Sequence, residues 1–146
     1  MSPHLLDVNA LIALLWEEHQ FHDTMSGWFA RHGRHGWATC AITQAGFIRV
    51  MNQPALAPQG LTVGELAEVL ANSLAHPAHR LLPLEFAFAD VLACCSGGVV
   101  GHRQVTDAYL LTAAIRADMK LLTFDSGVRS LLASDAERSA HMELLR

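Results

Sequence analysis

Charge is scarce in this chain of 146 residues: 16% of its residues are charged, Lys120 is its one lysine and Tyr109 its one tyrosine. Three cysteines are present, Cys40, Cys94 and Cys95. An odd count with two adjacent members makes a poor disulfide framework and points to buried thiols in a reducing compartment. Charged or polar residues interrupt every apolar run before it reaches membrane-spanning length, so no membrane partner is expected. No basic segment followed by an apolar stretch and a small-residue cleavage site opens the chain, which makes the cytoplasm the expected location. A net charge of −4 does not advertise a nucleic-acid binder. It excludes none either, since a divalent cation and a local arginine cluster can reverse the field at one site.

What is plentiful is apolar residue. The hydrophobic fraction is 51% and the mean hydropathy +0.24. That predicts a sizeable core, or an apolar surface that a partner covers. No repeat, low-complexity tract or compositional shift divides the chain, so residues 1–146 read as one domain. Patterning predicts strands at Leu5–Val8, Trp37–Cys40, Arg80–Leu84 and Lys120–Phe124, with an edge strand within Ala140–Leu145. Helices are expected over Ala10–His19, His22–Arg34, Thr43–Met51, Glu85–Ser96, Val105–Asp118 and Ser126–Ala133. Another runs from the capping box Thr62-Val63-Gly64-Glu65 to about Ala75. Pro54–Leu61, with Pro54, Pro58 and Gly60, reads as a loop. Alternating strands and helices imply an α/β fold with a mostly parallel sheet flanked by helices.

The chemistry lies in aspartates parked at the ends of apolar runs. Asp7 closes Leu5-Leu6, Asp125 closes Leu121–Phe124, and Asp107 stands where the helix from Val105 begins. Open α/β sheets place ligands at the carboxyl ends of their strands. Each aspartate alone suits a purely local role just as well. Asp7 can cap a helix, Asp107 can favour a helix N-terminus, and Asp125 can start a turn. Converging, they would repel one another unless a cation held them. The simplest such cation is Mg²⁺, which prefers carboxylate and water oxygens. Thr123 precedes Asp125 by two residues and so shares its sheet face. Asn9 is placed to orient Asp7 from the helix start.

Four segments in this order resemble the VapC-like PIN-domain ribonucleases, the toxin halves of bacterial toxin–antitoxin pairs: Leu5–Leu11, Thr43–Val50, Gly101–Leu111 and Leu122–Asp125. The resemblance spans nearly the whole chain and implies a PIN-like three-layer sandwich. It further implies that Asp7, Asp107 and Asp125 ligate Mg²⁺, with Mn²⁺ as substitute, for hydrolysis of RNA phosphodiesters, tRNA or rRNA. A VapB-like antitoxin and a homodimer are its implied partners. Many members of that family carry glutamate where this chain has Gln44, so one tightly held metal is expected here rather than two. Glu85 and Asp90 are substitutes to consider for the missing carboxylate. Arg49 and Arg103 are phosphate-contact candidates because guanidinium matches phosphate oxygens in a fork. His102 is a further RNA-contact candidate.

Three other readings compete. Loss of a carboxylate at Gln44 would suit a PIN-fold module that binds RNA or antitoxin without cutting. A haloacid-dehalogenase-type phosphatase needs a second aspartate two residues after the first, where this chain has Asn9, and a lysine near the site. Histidines spaced by three (His19 and His22, His32 and His35, His76 and His79) lack the cysteine spacing of a zinc finger. Met25, Trp28 and Phe29 fall on one helix face, either as core or as a partner-facing groove.

Overall fold

The computed structural model describes residues 2–55 and 60–146. Its five strands are β1 (His4–Leu6), β2 (Trp37–Cys40), β3 (His79–Leu82), β4 (Lys120–Thr123) and β5 (Met142–Leu144). They form one sheet in the order β3-β2-β1-β4-β5, every pairing parallel. The helices are α1 (Val8–Leu15), α2 (His22–His32), α3 (Ala41–Met51), α4 (Val63–Leu74), α5 (Phe88–Cys94), α6 (Val105–Arg116) and α7 (Asp135–His141). Part of the loop expected over Pro54–Leu61, including Pro58, lies outside the described residues. Among the described residues no helix is long and apolar enough to cross a membrane.

Two-residue periodicity divides the strands between two cores. Leu5, Ala38, Cys40 and Leu121 face α5 and α6, meeting Val91, Leu110, Leu111 and Ala114. Leu6, Trp37 and Leu122 face α1 to α4, meeting Leu11, Met25, Trp28, Phe47 and Leu66. The result is three layers, with both faces of the central strands β1, β2 and β4 covered, as parallel sheets require, while the edge strand β3 leaves Arg80 and Leu81 exposed. Met25 and Trp28 are therefore core, and α2 offers no open apolar groove at these positions. Cys40 and Cys95 are buried free thiols, whereas Cys94 is only half-buried, a departure from the expected burial of all three.

Several boundaries differ from expectation for local reasons. The first strand stops at Leu6 rather than Val8 because Asp7 already caps α1. The helix expected from Glu85 starts only at Phe88, since the Asp90 carboxylate accepts from Ala87 N at 2.9 Å and fixes the helix start there. Residues Ser126–Leu131 wind as a 3-10 turn instead of an α-helix. Helix α7 is an addition to the expected elements, and Ser134 and Glu137 form a capping box at its start.

Two close fits hold the elements in place. A methyl group added at Gly46 on α3 would lie 2.6 Å from Val8 Cγ2 on α1, so only hydrogen lets these helices meet. Helix α6 ends in a Schellman motif: Met119 N donates to Ala114 O at 2.8 Å and Asp118 N to Ile115 O at 3.2 Å. Asp118 takes the left-handed position with φ +55°, and Met119 is buried at once to begin the return into β4.

Gly46→Ala, despite its better helix propensity, is expected to cost about 1–3 kcal/mol in urea unfolding, with partial recovery when Val8→Ala is added. Asp118→Gly relieves the left-handed backbone and is expected to add about 1 kcal/mol.

Candidate active site

The site is assembled at the carboxyl edge of β1 and β4. Leu6 is registered opposite Leu122, and Asp7 N donates to Leu122 O at 2.9 Å. Extending that register by one residue sets Asp7 beside Thr123. The Thr123 hydroxyl, fully buried, donates to Asp7 Oδ2 at 2.7 Å. It accepts from Asn9 Nδ2 at 3.3 Å and from Asp125 N at 3.0 Å. One donor and two acceptor sites are all a hydroxyl offers, and all three are used. The other end of the Asn9 amide accepts from Phe124 N at 3.2 Å. Asn9 thus pins the start of α1 to the end of β4, acting on Asp7 through Thr123.

The three aspartates keep their local roles and are brought together as well. Asp7, 5% exposed, caps α1 by accepting from Val8 N at 2.7 Å. Asp125 accepts from Gly127 N at 2.8 Å and starts the 3-10 turn. Asp107 lies in the first turn of α6, half-buried. Burial, and then the charge of Asp7 and of Asp125, push the Asp107 carboxyl up to about 7. Burial likewise raises the Asp7 carboxyl, opposed by its bonds to Thr123 and Val8 and reinforced by the Asp125 charge. The described ion pairs are His4–Glu143, Arg129–Asp135 and Arg138–Asp135, so no described Lys or Arg neutralises this edge.

The donor set and its electrostatics fit a hard cation. Carboxylates whose charges help raise the Asp7 and Asp107 carboxyls, with no described Lys or Arg in ion-pair range, are what a divalent ion would relieve. They do not form a closed cage: among the described residues no three His, Cys, Asp or Glu side chains are gathered as a ready ligand group. Mg²⁺ retains several waters and binds through few carboxylates, so an open acidic edge suits it better than it suits Zn²⁺.

The remaining candidates are placed as follows. Gln44, half-buried on α3, donates from Nε2 to Thr39 Oγ1 at 3.0 Å, and Thr39 Oγ1 lies 2.8 Å from His79 Nε2. No sequence signal points to Thr39 and His79, which only the β2–β3 pairing brings together. Arg49 is exposed on the last turn of α3, and Arg103 and His102 are exposed in the 3-10 turn before α6. Asp90 is spent on its helix cap. Glu85 lines a cavity with Arg80, Phe86 and Arg116, beside the far end of α6 from Asp107. Neither supplies a fourth carboxylate. His19, His22, His76 and His79 each have a hydrogen-bond partner in the fold.

A carboxyl raised to about 7 keeps its proton in the folded state while the unfolded chain has lost it. Metal-free stability should therefore fall as pH rises from about 4 to 7, then level off. Asp107→Asn removes the titrating group, so the variant should melt higher than the parent at pH 8 without divalent ions and show a flatter pH profile. Mg²⁺ should raise the parent's Tm more at pH 8 than at pH 5.5, read by scanning calorimetry.

A PIN domain family model matches residues 4–131. Ribonuclease VapC38 of Mycobacterium tuberculosis is 42% identical over 127 residues, 87% of this chain and 88% of that protein. Ribonuclease VapC44 from the same species is 35% identical over 141 residues, 97% of this chain and 98% of that protein. A crystal structure of VapBC2 from Rickettsia felis, bound to a DNA fragment from their promoter, superposes with a TM-score of 0.63. It covers 99% of both chains at 10% identity, a likeness of fold. With its parallel five-stranded sheet between two helical layers and its acidic edge, this chain belongs to the PIN-domain family, among its VapC members.

Proposed function

We propose that the protein is a metal-dependent endoribonuclease and the toxin of a toxin–antitoxin pair. One observation carries the reading: three aspartates, from the end of β1, from α6 and from the end of β4, interact at a single sheet edge, and among the described residues no Lys or Arg pairs with them. The names of the relatives, ribonucleases aligned over most of their length, support it.

Asp7, Asp107 and Asp125 would hold Mg²⁺ or Mn²⁺. When bound, such an ion polarises a phosphoryl oxygen and acidifies a water. The chain's own residues supply orientation. Thr123 fixes the Asp7 carboxylate, and Asn9 holds Thr123 and the Phe124 backbone so that the end of β4 cannot drift. Beside a bound cation Asp107 would lose the proton that it holds without one, the cation's charge relieving the repulsion at this edge. Arg103, four residues before Asp107, and Arg49 would contact substrate phosphates. The RNA class is structured or single-stranded tRNA or rRNA.

A VapB-like antitoxin would seat an amphipathic helix in the apolar groove between α3 and α4. Ala41, Ala45, Ile48, Ala67, Leu70 and Ala71 line this cavity of about 450 Å³. Gln44 lines it too, in the first turn of the helix that follows β2. The homodimer and cytoplasmic location belong to the same reading.

Purified protein should cut a tRNA and rRNA pool into discrete fragments with Mg²⁺ or Mn²⁺. Excess chelator or Asp7→Asn should remove at least a hundredfold of that rate. Folded, antitoxin-free protein that leaves the pool intact would favour the non-cutting RNA- or antitoxin-binding module. In that case Gln44→Glu should restore activity, whereas in a competent three-aspartate site it changes the rate little.

A further inference from the structure

The chain's scarce positive charge is not evenly spread. Four of its ten Lys and Arg residues, Lys120, Arg129, Arg138 and Arg146, line one cavity of about 480 Å³ beside β5. Asp135 and Glu143 line it too, but both are committed elsewhere. Asp135 Oδ1 accepts from Arg138 at 2.7 Å, while Arg138 also donates to the carbonyls of Arg129 and Leu132. Glu143 accepts from Trp28 Nε1 at 3.0 Å and lies 2.8 Å from His4 Nε2, which draws it toward β1. Arg138 is therefore a strut. Lys120 and Arg146 have no described carboxylate in salt-bridge range, and Arg129 has only Asp135 at 3.7 Å.

This cavity begins beside the acidic edge and runs along β5 to the amino end of β4, where Lys120 opens that strand opposite His4. Arg129 belongs to the 3-10 turn that Asp125 caps. Arg146 follows Leu145, whose N–H donates to the carbonyl of Thr123 at 2.9 Å. A polyanion held at the carboxylates by a metal would meet Arg129 and Arg146 first as it leaves over β4 and β5, and Lys120 at the far, amino end of β4. In a chain of net charge −4, this is where the field turns favourable to phosphate.

We propose that Lys120, Arg129 and Arg146 form a backbone-binding groove that holds the flank of the RNA strand being cut. The groove rests on the nuclease reading and reads phosphates, not bases.

The test uses the full chain carrying Asp107→Asn to block cleavage, with fluorescein-labelled polyuridylate followed by anisotropy across a salt series. Lys120→Ala with Arg146→Ala should weaken binding roughly tenfold at moderate salt and flatten the log–log salt slope by about 1.4, two lost phosphate contacts on a single strand. Arg31→Ala with Arg34→Ala, on exposed positions outside the groove, should do neither. Unchanged affinity and slope in the groove variant, or an equal loss in the control pair, overturns the proposal. Labelled polyglutamate that binds with the same charge dependence, where polyuridylate does not, assigns the groove to an acidic protein segment and also overturns it. Cleavage by the parent chain is read in parallel. Cleavage with groove-independent binding defeats the groove alone, whereas groove-dependent binding without cleavage defeats the nuclease reading alone.

Discussion

Like charges held at one sheet edge are the constraint on which this structure turns. Asp7, Asp107 and Asp125 would separate if their backbones were free. Each is anchored by an interaction that has nothing to do with its neighbours: a helix cap, a first helical turn and a turn-starting hydrogen bond. The Thr123 hydroxyl then ties two of the anchors together through Asp7 Oδ2 and Asp125 N. Local backbone chemistry thus does the holding, and burial, with the neighbouring charges adding to it, leaves the Asp107 carboxyl raised to about 7. Ordinary capping residues become a site because three strand and helix ends coincide.

The layers explain why the ends coincide. Parallel strands all point their carboxyl ends the same way, and β1 lies between β2 and β4 at the sheet's middle. Asp7 is therefore flanked by the end of β4 on one side and by the start of α3 after β2 on the other. Asp107 arrives from the opposite layer, on α6. The contact between Gly46 and Val8 brings α3 against α1 at a distance no side chain at 46 would permit. Gln44, one half-turn earlier on α3, is steered by that fit and by Thr39 rather than by any contact with the carboxylates.

Much of this is readable in the chain. Residues at the ends of apolar runs announce the acidic edge, and two-residue periodicity puts Thr123 with Asp125. Sequence patterning places β2 at its observed bounds and the start of α6 at Val105, where hydrophobic pattern and propensity agree. The misses have physical causes. The capping box of α7 carries the same Ser/Thr-to-Glu signal that identifies α4, but no long apolar stripe follows it. Asn9 stands in sequence where it would orient Asp7 directly, yet its partners are Thr123 and Phe124 N, a choice made by strand register across more than a hundred residues. The chain from Gln44 through Thr39 to His79 depends on which strands neighbour each other, and no local pattern encodes strand order.

The end of the sheet at β5 carries another consequence. Among the described residues no strand pairs with its outer side, so it presents unmatched backbone donors and acceptors. Such a border invites a further strand from another molecule. Here the border is short, and Lys120, Arg129, Arg138 and Arg146 crowd around it. A second copy approaching edge to edge would bring the same cations face to face and be turned away. The protein thereby keeps a sheet whose interior is almost wholly apolar from growing past its own last strand.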